Sequence, residues 1–210
     1  AQRQNGRVLL LEAGSSRERD FWIRAPIGIA KVVGDPRYVW QFRTQAQDSL
    51  IGQSVYWPRG RMLGGSSGVN GTIYVRGEAQ EYDHWQAMGC AGWGYADVLP
   101  YFKRLETTTL GEEAYRGRQG PVHISSLADM PDALSDAFHD ACVAAGIPAN
   151  PDYNGARYEG VGSLQLNTRD GRRCDTATAY LQGQRAEHLH VVTEAVAAKV
   201  LFEGRRAIGV

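Results

Sequence analysis

The sequence predicts an α/β fold, with α+β character in its middle part. Three observations carry that prediction. First, Val8-Leu9-Leu10-Leu11 is a continuous apolar run ending at Glu12-Ala13-Gly14, as suits a strand buried in a parallel sheet. Second, Pro58-Arg59-Gly60-Arg61-Met62-Leu63-Gly64-Gly65-Ser66-Ser67-Gly68-Val69-Asn70-Gly71 packs five glycines and two serines into fourteen residues. Third, helical spacing marks several segments between residues 80 and 145, and strand-like segments return after residue 189.

The elements follow in order. The charged stretch Ser15 to Asp20 is a loop, and Pro26 to Val33 is a short helix. Tyr38 to Thr44 alternates Tyr38, Trp40 and Phe42 with Val39, Gln41 and Arg43, the pattern of an extended segment. Ser54 to Trp57 is another, and it delivers the chain into the glycine-rich run. Gln80 to Met88 is helical, with Tyr82, Trp85 and Met88 spaced by three. Tyr95 to Leu105 is a second helix, in which Pro100 requires a first-turn position. Leu110 to Gly120 is glycine-rich and charged, hence a surface loop, and Pro121 to Ser125 is a short strand. Leu134 to Ala145 is an amphipathic helix with Leu134, Phe138, Ala141, Cys142 and Ala145 on one face, closed by Gly146. Pro148 to Gly162 is irregular. Asp175 or Thr176 caps a short helix running to Leu181. His190 to Thr193, Ala195 to Phe202 and Ala207 to Val210 are strands, with a turn at Glu203-Gly204-Arg205-Arg206.

Composition bounds the function classes. The chain has 210 residues, 43% of them hydrophobic and 22% charged, so it is globular. Twenty-three basic residues balance 23 acidic ones, which gives no electrostatic case for nucleic acid or a membrane surface. Cys90, Cys142 and Cys174 are too scattered for a disulfide framework or a zinc site and fit a reducing compartment. No apolar run approaches the roughly 20 residues of a spanning helix. No metal site is expected.

The glycine-rich run has the chemistry of a cradle for a phosphorylated cofactor. Glycine permits positive φ and close backbone approach. Ser66 and Ser67 can cap a following helix and leave N–H groups for an anion. Arg59 and Arg61 add positive charge, and a tight structural turn is the plainer alternative. Glu12 sits at a strand's carboxyl end, where α/β sheets bind ligands, and an acid there bonds ribose hydroxyls about 20 residues after a glycine fingerprint. Only 11 residues precede Glu12, with one glycine, Gly6. The expectation is an internal piece of a larger cofactor-binding protein. Taken alone, Glu12 reads equally as a solvated carboxylate.

These residues carry a family resemblance. Leu9-Leu10-Leu11-Glu12-Ala13-Gly14, the run from Trp57 to Gly71, and Tyr74-Val75-Arg76-Gly77 are its first matching pieces. Tyr82-Asp83-His84-Trp85, Gly92-Trp93-Gly94-Tyr95, Leu99-Pro100-Tyr101-Phe102-Lys103, Gly120-Pro121-Val122, Asn154-Gly155 and Gly171-Arg172-Arg173 continue it. Together they resemble the glucose–methanol–choline (GMC) flavoprotein oxidoreductases, on the side of the choline-dehydrogenase-like alcohol dehydrogenases. The resemblance implies a partial FAD-binding Rossmann-like domain with an inserted substrate domain. Residues 1–75 would belong to the FAD-binding domain, 76–185 mostly to inserted lid and substrate-domain segments, and 186–210 to the FAD-binding domain again.

The resemblance also assigns residues. Glu12 matches the acid that binds the adenosine ribose. Gly60, Met62, Leu63, Gly65 and Ser66 match the loop under the pyrophosphate and flavin. Gly68, Val69, Asn70 and Gly71 match residues packed around the isoalloxazine ring. Some relatives carry a flavin-linked histidine at the position of Val69, and valine has no nucleophile, so non-covalent FAD is implied. Ala197 matches a position whose backbone touches adenine, and Trp40 is placed near the flavin or substrate. The implied reaction is alcohol oxidation by hydride transfer to flavin N5, with a base taking the hydroxyl proton.

Its partners would be a small-molecule alcohol and an electron acceptor (a quinone, a dye-like carrier or O2), and its location cytoplasmic or peripheral to a membrane. His84, His123, His139, His188 and His190 each read as structural or solvated, so the base is expected beyond residue 210. Trp85, Trp93, Tyr95, Tyr101 and Phe102 read as core, and Arg172 and Arg173 as an exposed turn. The alternatives are a non-redox flavoprotein of the same fold (lyase or photodecarboxylase), or a catalytically inactive fragment that binds FAD weakly and leaves Val8 to Leu11 exposed.

Overall fold

The structure, a computed structural model, describes residues 6–17, 19–130, 132–182 and 188–210. Glu18 of the expected loop and the expected domain return at residues 186–187 lie outside the described residues. In chain order the elements begin with β1 (Val8–Leu11), α1 (Phe21–Arg24), α2 (Ile29–Val32), β2 (Val39–Trp40) and β3 (Arg59–Gly60). They continue with α3 (Ala79–Ala87), α4 (Tyr95–Leu105), β4 (Glu106–Thr107), β5 (Val122–His123), β6 (Ser125–Ser126) and α5 (Ala133–Ala144). The last are β7 (Gln165–Leu166), β8 (Thr168–Arg169), β9 (Arg172–Arg173), α6 (Thr176–Tyr180), β10 (Leu189–Val192), β11 (Leu201–Glu203) and β12 (Arg206–Gly209). The chain forms two compact units, residues 1–71 with 175–210, and residues 72–174.

In the first unit β1 and β10 pair in parallel, Val8 opposite Leu189 and Leu11 opposite Val192. The apolar run is therefore a parallel strand, but not a buried one. It has a single neighbour among the described residues, and Leu9 is 56% exposed. The core of this unit is Ile23, Val32, Tyr38, Val39, Met62 and Val69. Asp20 caps α1 by accepting the Trp22 N–H at 2.9 Å, a helix in a stretch to which the sequence assigned no element. The expected helix from Pro26 to Val33 is a 3-10 turn at Pro26–Gly28 followed by α2. The extended segment Tyr38 to Thr44 narrows to β2 and a bridge at Arg43, paired with β3 and Tyr56. The strand expected from Ala195 to Phe202 is only β11. Residues 195–200 run without a ladder, and β11 turns through Gly204 (φ 59°) into β12.

The second unit contains the best-read helices. α4 spans the expected residues, but Pro100 sits in its second turn, not its first. The ring removes one helical donor there, and Ala96 is the residue four earlier whose carbonyl would have received it. α5 is capped by Asp132, which accepts from Leu134 and Ser135, and Gly146 ends it at φ 90°. Its expected apolar face is not covered among the described residues: Leu134 is 79% and Phe138 67% exposed. Of the aromatic residues expected in the core, Trp85, Trp93, Tyr95 and Phe102 instead form a half-exposed cluster around Tyr82, whose ring lies 5.3 Å from Trp85 and 5.7 Å from Phe102, and Tyr101 is exposed. The strand expected at Pro121 to Ser125 divides at Ile124. Its first half pairs in parallel with β4, and β6 pairs antiparallel with β7. Arg172 is exposed as expected, whereas Arg173 is buried.

Candidate cofactor site

The first unit brings together the two segments that the sequence singles out. At the carboxyl end of β1 the Glu12 N–H donates to Val192 O at 2.9 Å, and the Ala195 N–H donates to Glu12 O at 2.9 Å. These bonds tie the Glu12-Ala13-Gly14 turn to β10 and to the segment after it. Glu12 Oε1 accepts the Gly14 N–H at 2.7 Å, so the carboxylate is held in place by its own turn. Its second oxygen makes no hydrogen bond among the described residues. Ala197, two residues past Ala195, is exposed.

Gly14 lies directly against the glycine-rich loop. A Cβ there would stand 1.9 Å from Arg61 O and 2.6 Å from Met62 N, closer than atoms can approach. Ser15 bridges Met62 in parallel, and the Leu63 N–H donates to Ser15 O at 3.3 Å. The loop then folds back on itself. The Gly60 N–H donates to Ser66 Oγ at 3.0 Å, and a Cβ on Gly60 would stand 2.1 Å from Gly65 O. Gly64 and Gly65 both take left-handed conformations, φ 90° and 54°. The Gly65 N–H donates to Met62 O at 2.8 Å. Among the described residues no protein acceptor faces the N–H of Gly64 or of Ser66. Two N–H groups without a protein acceptor on a left-handed glycine turn suit phosphate oxygens.

The predicted site residues separate by exposure. Ser66, Asn70 and Gly71 are exposed, and Glu12, Gly60, Leu63 and Gly65 are half-buried. Met62, Gly68 and Val69 are buried. Met62 supports the loop from beneath: a Cβ on Gly68 would stand 2.9 Å from its Cε. Trp40 stacks on Phe42 at 5.9 Å and carries the Arg61 guanidinium 4.6 Å above its ring. The arginines beside the loop are therefore engaged with aromatic faces, Arg59 lying 5.2 Å over Trp57.

The serines do not cap a following helix, as the sequence reading had them. The run from Gly65 to Gly68 is a 3-10 turn, and the next helix, α3, starts only at Ala79. Ser66 Oγ instead accepts from Gly60, and Ser67 Oγ accepts the Thr176 N–H at 3.0 Å. Ser67 thus serves the start of α6, a helix 109 residues away in sequence. Thr176, Asp175 and Ser15 are supporting residues that the sequence reading passed over or took only as local caps. Their one local signal is the Asp-Thr pair before a short apolar segment.

No histidine lies on the loop segments themselves. His84 and His139 lie on helices, and His139 Nδ1 is 3.5 Å from Asp140. His123 is on β5, where burial pushes its imidazole pKa down, and His188 and His190 are exposed, one just before β10 and one on it. Among the described residues no cluster of three His, Cys, Asp or Glu could hold a metal ion, and no helix is long and apolar enough to cross a membrane.

The second unit encloses a polar network of its own. Arg116, fully buried in a segment expected to be a surface loop, donates from Nε to Glu106 Oε1 at 2.8 Å and from Nη1 to Gln165 Oε1 at 2.9 Å. It also pairs with Asp152. Arg76 Nη2 approaches Glu106 Oε1 at 2.8 Å, as opposite charges in contact rather than an aligned hydrogen bond. Burial tends to raise the Glu106 pKa. The Arg116 hydrogen bonds, the Gly117 N–H and the two guanidinium charges outweigh it and hold the carboxyl below its ordinary value. Burial, followed by the Glu106 charge, pushes the Tyr74 hydroxyl up to about 12.

Comparison with known proteins places this geometry. The GMC oxidoreductase family profile matches residues 24–210. An oxygen-dependent choline dehydrogenase of Photobacterium profundum is 43% identical over 205 residues, covering 97% of this chain and 36% of that protein. Human mitochondrial choline dehydrogenase is 40% identical over 211 residues, covering 97% of this chain and 35% of that protein. The chain thus spans about a third of the length of these curated relatives. Among solved structures, pyridoxine 4-oxidase from Mesorbium loti superposes with a TM-score of 0.91 at 32% identity, over 98% of this chain and 41% of that one. The α/β fold expected from the sequence is the fold of these proteins.

Proposed function

The chain belongs to the GMC oxidoreductase family, and from that premise we propose that the whole protein oxidises an alcohol to an aldehyde or ketone with FAD. The observation that carries this reading is the meeting of the Glu12-Ala13-Gly14 turn with the loop from Gly60 to Gly71, Gly14 packed against the Arg61 carbonyl. FAD, when bound, supplies the hydride acceptor at flavin N5.

The residues fit that group. Glu12 has an oxygen left for ribose hydroxyls. Gly64 and Ser66 present N–H groups for phosphate oxygens, and the glycines at 14 and 60 keep side chains out of the backbone's path. Leu63, Gly65, Asn70 and Gly71 offer the loop's remaining accessible surface, and the backbone near Ala197 offers one for adenine. Met62, Gly68 and Val69 hold the loop's shape beneath it. Val69 has no nucleophile, so FAD is held without a covalent bond. No histidine of this chain lies on these segments, and we place the proton-accepting base outside residues 1–210.

Residues 1–75 and 186–210 are assigned to the FAD-binding domain and 76–185 to inserted lid and substrate segments. The partners are a small alcohol and an electron acceptor such as a quinone, a dye-like carrier or O2. The relatives' names support including choline and O2 among those tested. Three scattered cysteines support a cytoplasmic location.

The test is an anaerobic absorbance spectrum of the full-length protein before and after a panel of alcohols, choline included. Bleaching of the flavin band by one alcohol is the expected result. A band that no alcohol bleaches, or purified protein without flavin, overturns the reading. Acid precipitation should release the flavin into the supernatant, and flavin left in the pellet refutes non-covalent binding.

A further inference from the structure

Ser67 and Thr176 form a hydroxyl clasp on the carbonyl of Gly64. Ser67 Oγ donates to Gly64 O at 2.6 Å, and Thr176 Oγ1 donates to the same oxygen at 3.2 Å. The two hydroxyls also touch each other at 3.1 Å, and Ser67 Oγ accepts the Thr176 N–H at 3.0 Å. Behind the clasp Asp175, 3% exposed, accepts the Thr178 N–H at 2.7 Å. A Cβ on Gly64 would stand 3.3 Å from Ala177 Cβ and from Asp175 Oδ1, so the loop backbone rests directly on the start of α6.

The clasp has a consequence for the loop's direction. Gly64 is at φ 90° and ψ −11°, a conformation open mainly to glycine. A pair of glycines, Gly64 and Gly65, leaves the peptide between them free to flip, because neither has a side chain to forbid it. Two hydroxyl donors aimed at one carbonyl remove that freedom. With the Gly64 carbonyl turned toward α6, the Gly65 N–H meets Met62 O, while the flanking N–H groups of Gly64 and Ser66 have no protein acceptor among the described residues.

We propose that Ser67 and Thr176 are positioning residues: by pinning the Gly64 carbonyl they set the backbone donors of residues 64–66 in the arrangement that FAD phosphates require. This rests on the FAD reading given above. It adds that affinity for the cofactor depends on two hydroxyls that do not touch it, supplied from positions 109 residues apart.

The experiment uses the full-length protein, stripped of flavin, and follows quenching of FAD fluorescence as apoprotein is added. The variants are Ser67→Ala, Thr176→Val, Thr176→Ser and the double Ser67→Ala/Thr176→Val. All are assayed at least about 15 °C below the melting point of the weakest apoprotein, so that loss of fold does not enter. Each single loss should raise the FAD Kd by about 3- to 30-fold. The double variant should lose less than the product of the singles, because the hydroxyls share one acceptor. Thr176→Ser should restore affinity to within about 3-fold of the parent, since it returns the hydroxyl without the methyl group. The proposal is overturned if the double variant binds FAD as tightly as the parent, or if Thr176→Ser stays as weak as Thr176→Val. A parent protein that does not bind FAD fails the cofactor reading itself, and the clasp's assigned role falls with it.

Discussion

Replacing Glu106 by glutamine should cost the second unit a large share of its stability. Glu106 is fully buried, and its carboxylate faces both Arg76 and Arg116. Glutamine keeps the shape and one acceptor oxygen, but it removes the charge and turns an amide N–H₂ toward the Arg116 guanidinium. A charged hydrogen bond contributes about 1.5–3 kcal/mol, and here Arg76 loses its carboxylate while Arg116 keeps Asp152. Breaking a buried ion pair by removing one partner costs about 3–5 kcal/mol, so the two estimates agree. For a chain of this size that is a fall in Tm of roughly 6–20 °C.

The pH dependence gives a second check. The folded pKa of Glu106 is depressed, so its contribution is fully present above the unfolded carboxylate value of about 4.3. It is lost as pH falls through the lower folded value. The gap between parent and Glu106→Gln should stay constant from about pH 5.5 to 8 and narrow only below about pH 4.3. Urea unfolding followed by circular dichroism across that range measures both. A loss under about 1 kcal/mol, or a gap that grows on acidification, would refute the reasoning.

Three further predictions concern the first unit. Glu12→Gln keeps an acceptor for the Gly14 N–H but loses the charge offered to ribose hydroxyls. FAD affinity should fall about 10- to 100-fold with little change in apoprotein Tm, and an unchanged Kd would remove Glu12 from the site. Gly60→Ala forces a methyl within 2.1 Å of Gly65 O. It should cost about 1–3 kcal/mol and weaken flavin binding, and a melting curve matching the parent would show that the loop is not closed as described. Ile51 is a β-branched residue at φ 54° and 91% exposed. Ile51→Gly should therefore raise stability by about 1 kcal/mol, and a lower Tm would contradict that.

Legibility in the sequence followed the range of the causes. Helix α4 could be read to the residue because its spacing and its Gly94 start are local, and Gly146 announced its own left-handed φ. The strands were harder. Most are two residues long, too short for alternation to show. Residues 195–200 hold three alanines and a lysine, weak strand formers, against two valines, and find no ladder partner among the described residues. Pro100 shows a tertiary context overriding a local rule. Its helix contributes Tyr95 and Phe102 to the aromatic cluster around Tyr82, contacts that favour the helical backbone despite the lost donor.

At the candidate site, the residues facing outward were easier to read than those that hold them. Glu12 and the glycine loop carry chemistry in their own composition. Serine carries much less, because a hydroxyl beside glycines reads as a local cap whichever way it turns. Ser66 bonds six residues back to Gly60, and Ser67 bonds across 109 residues to Thr176. Nothing in the residues beside them distinguishes those two outcomes. Arg116 poses the same problem in the second unit. In a glycine-rich charged segment it reads as solvated, yet Glu106, Gln165 and Asp152 bury it from 10, 49 and 36 residues away. A buried arginine must be met by charges, and here they come from segments dispersed along the sequence. Positions of this kind become predictable only once the pairing of β4 with β5 and of β6 with β7 is known, since that pairing fixes where residues 106 and 165 stand. The fold therefore logically precedes the network, and a mutation that shifts the β6–β7 register by one residue should turn Gln165 away from Arg116 and unsatisfy it.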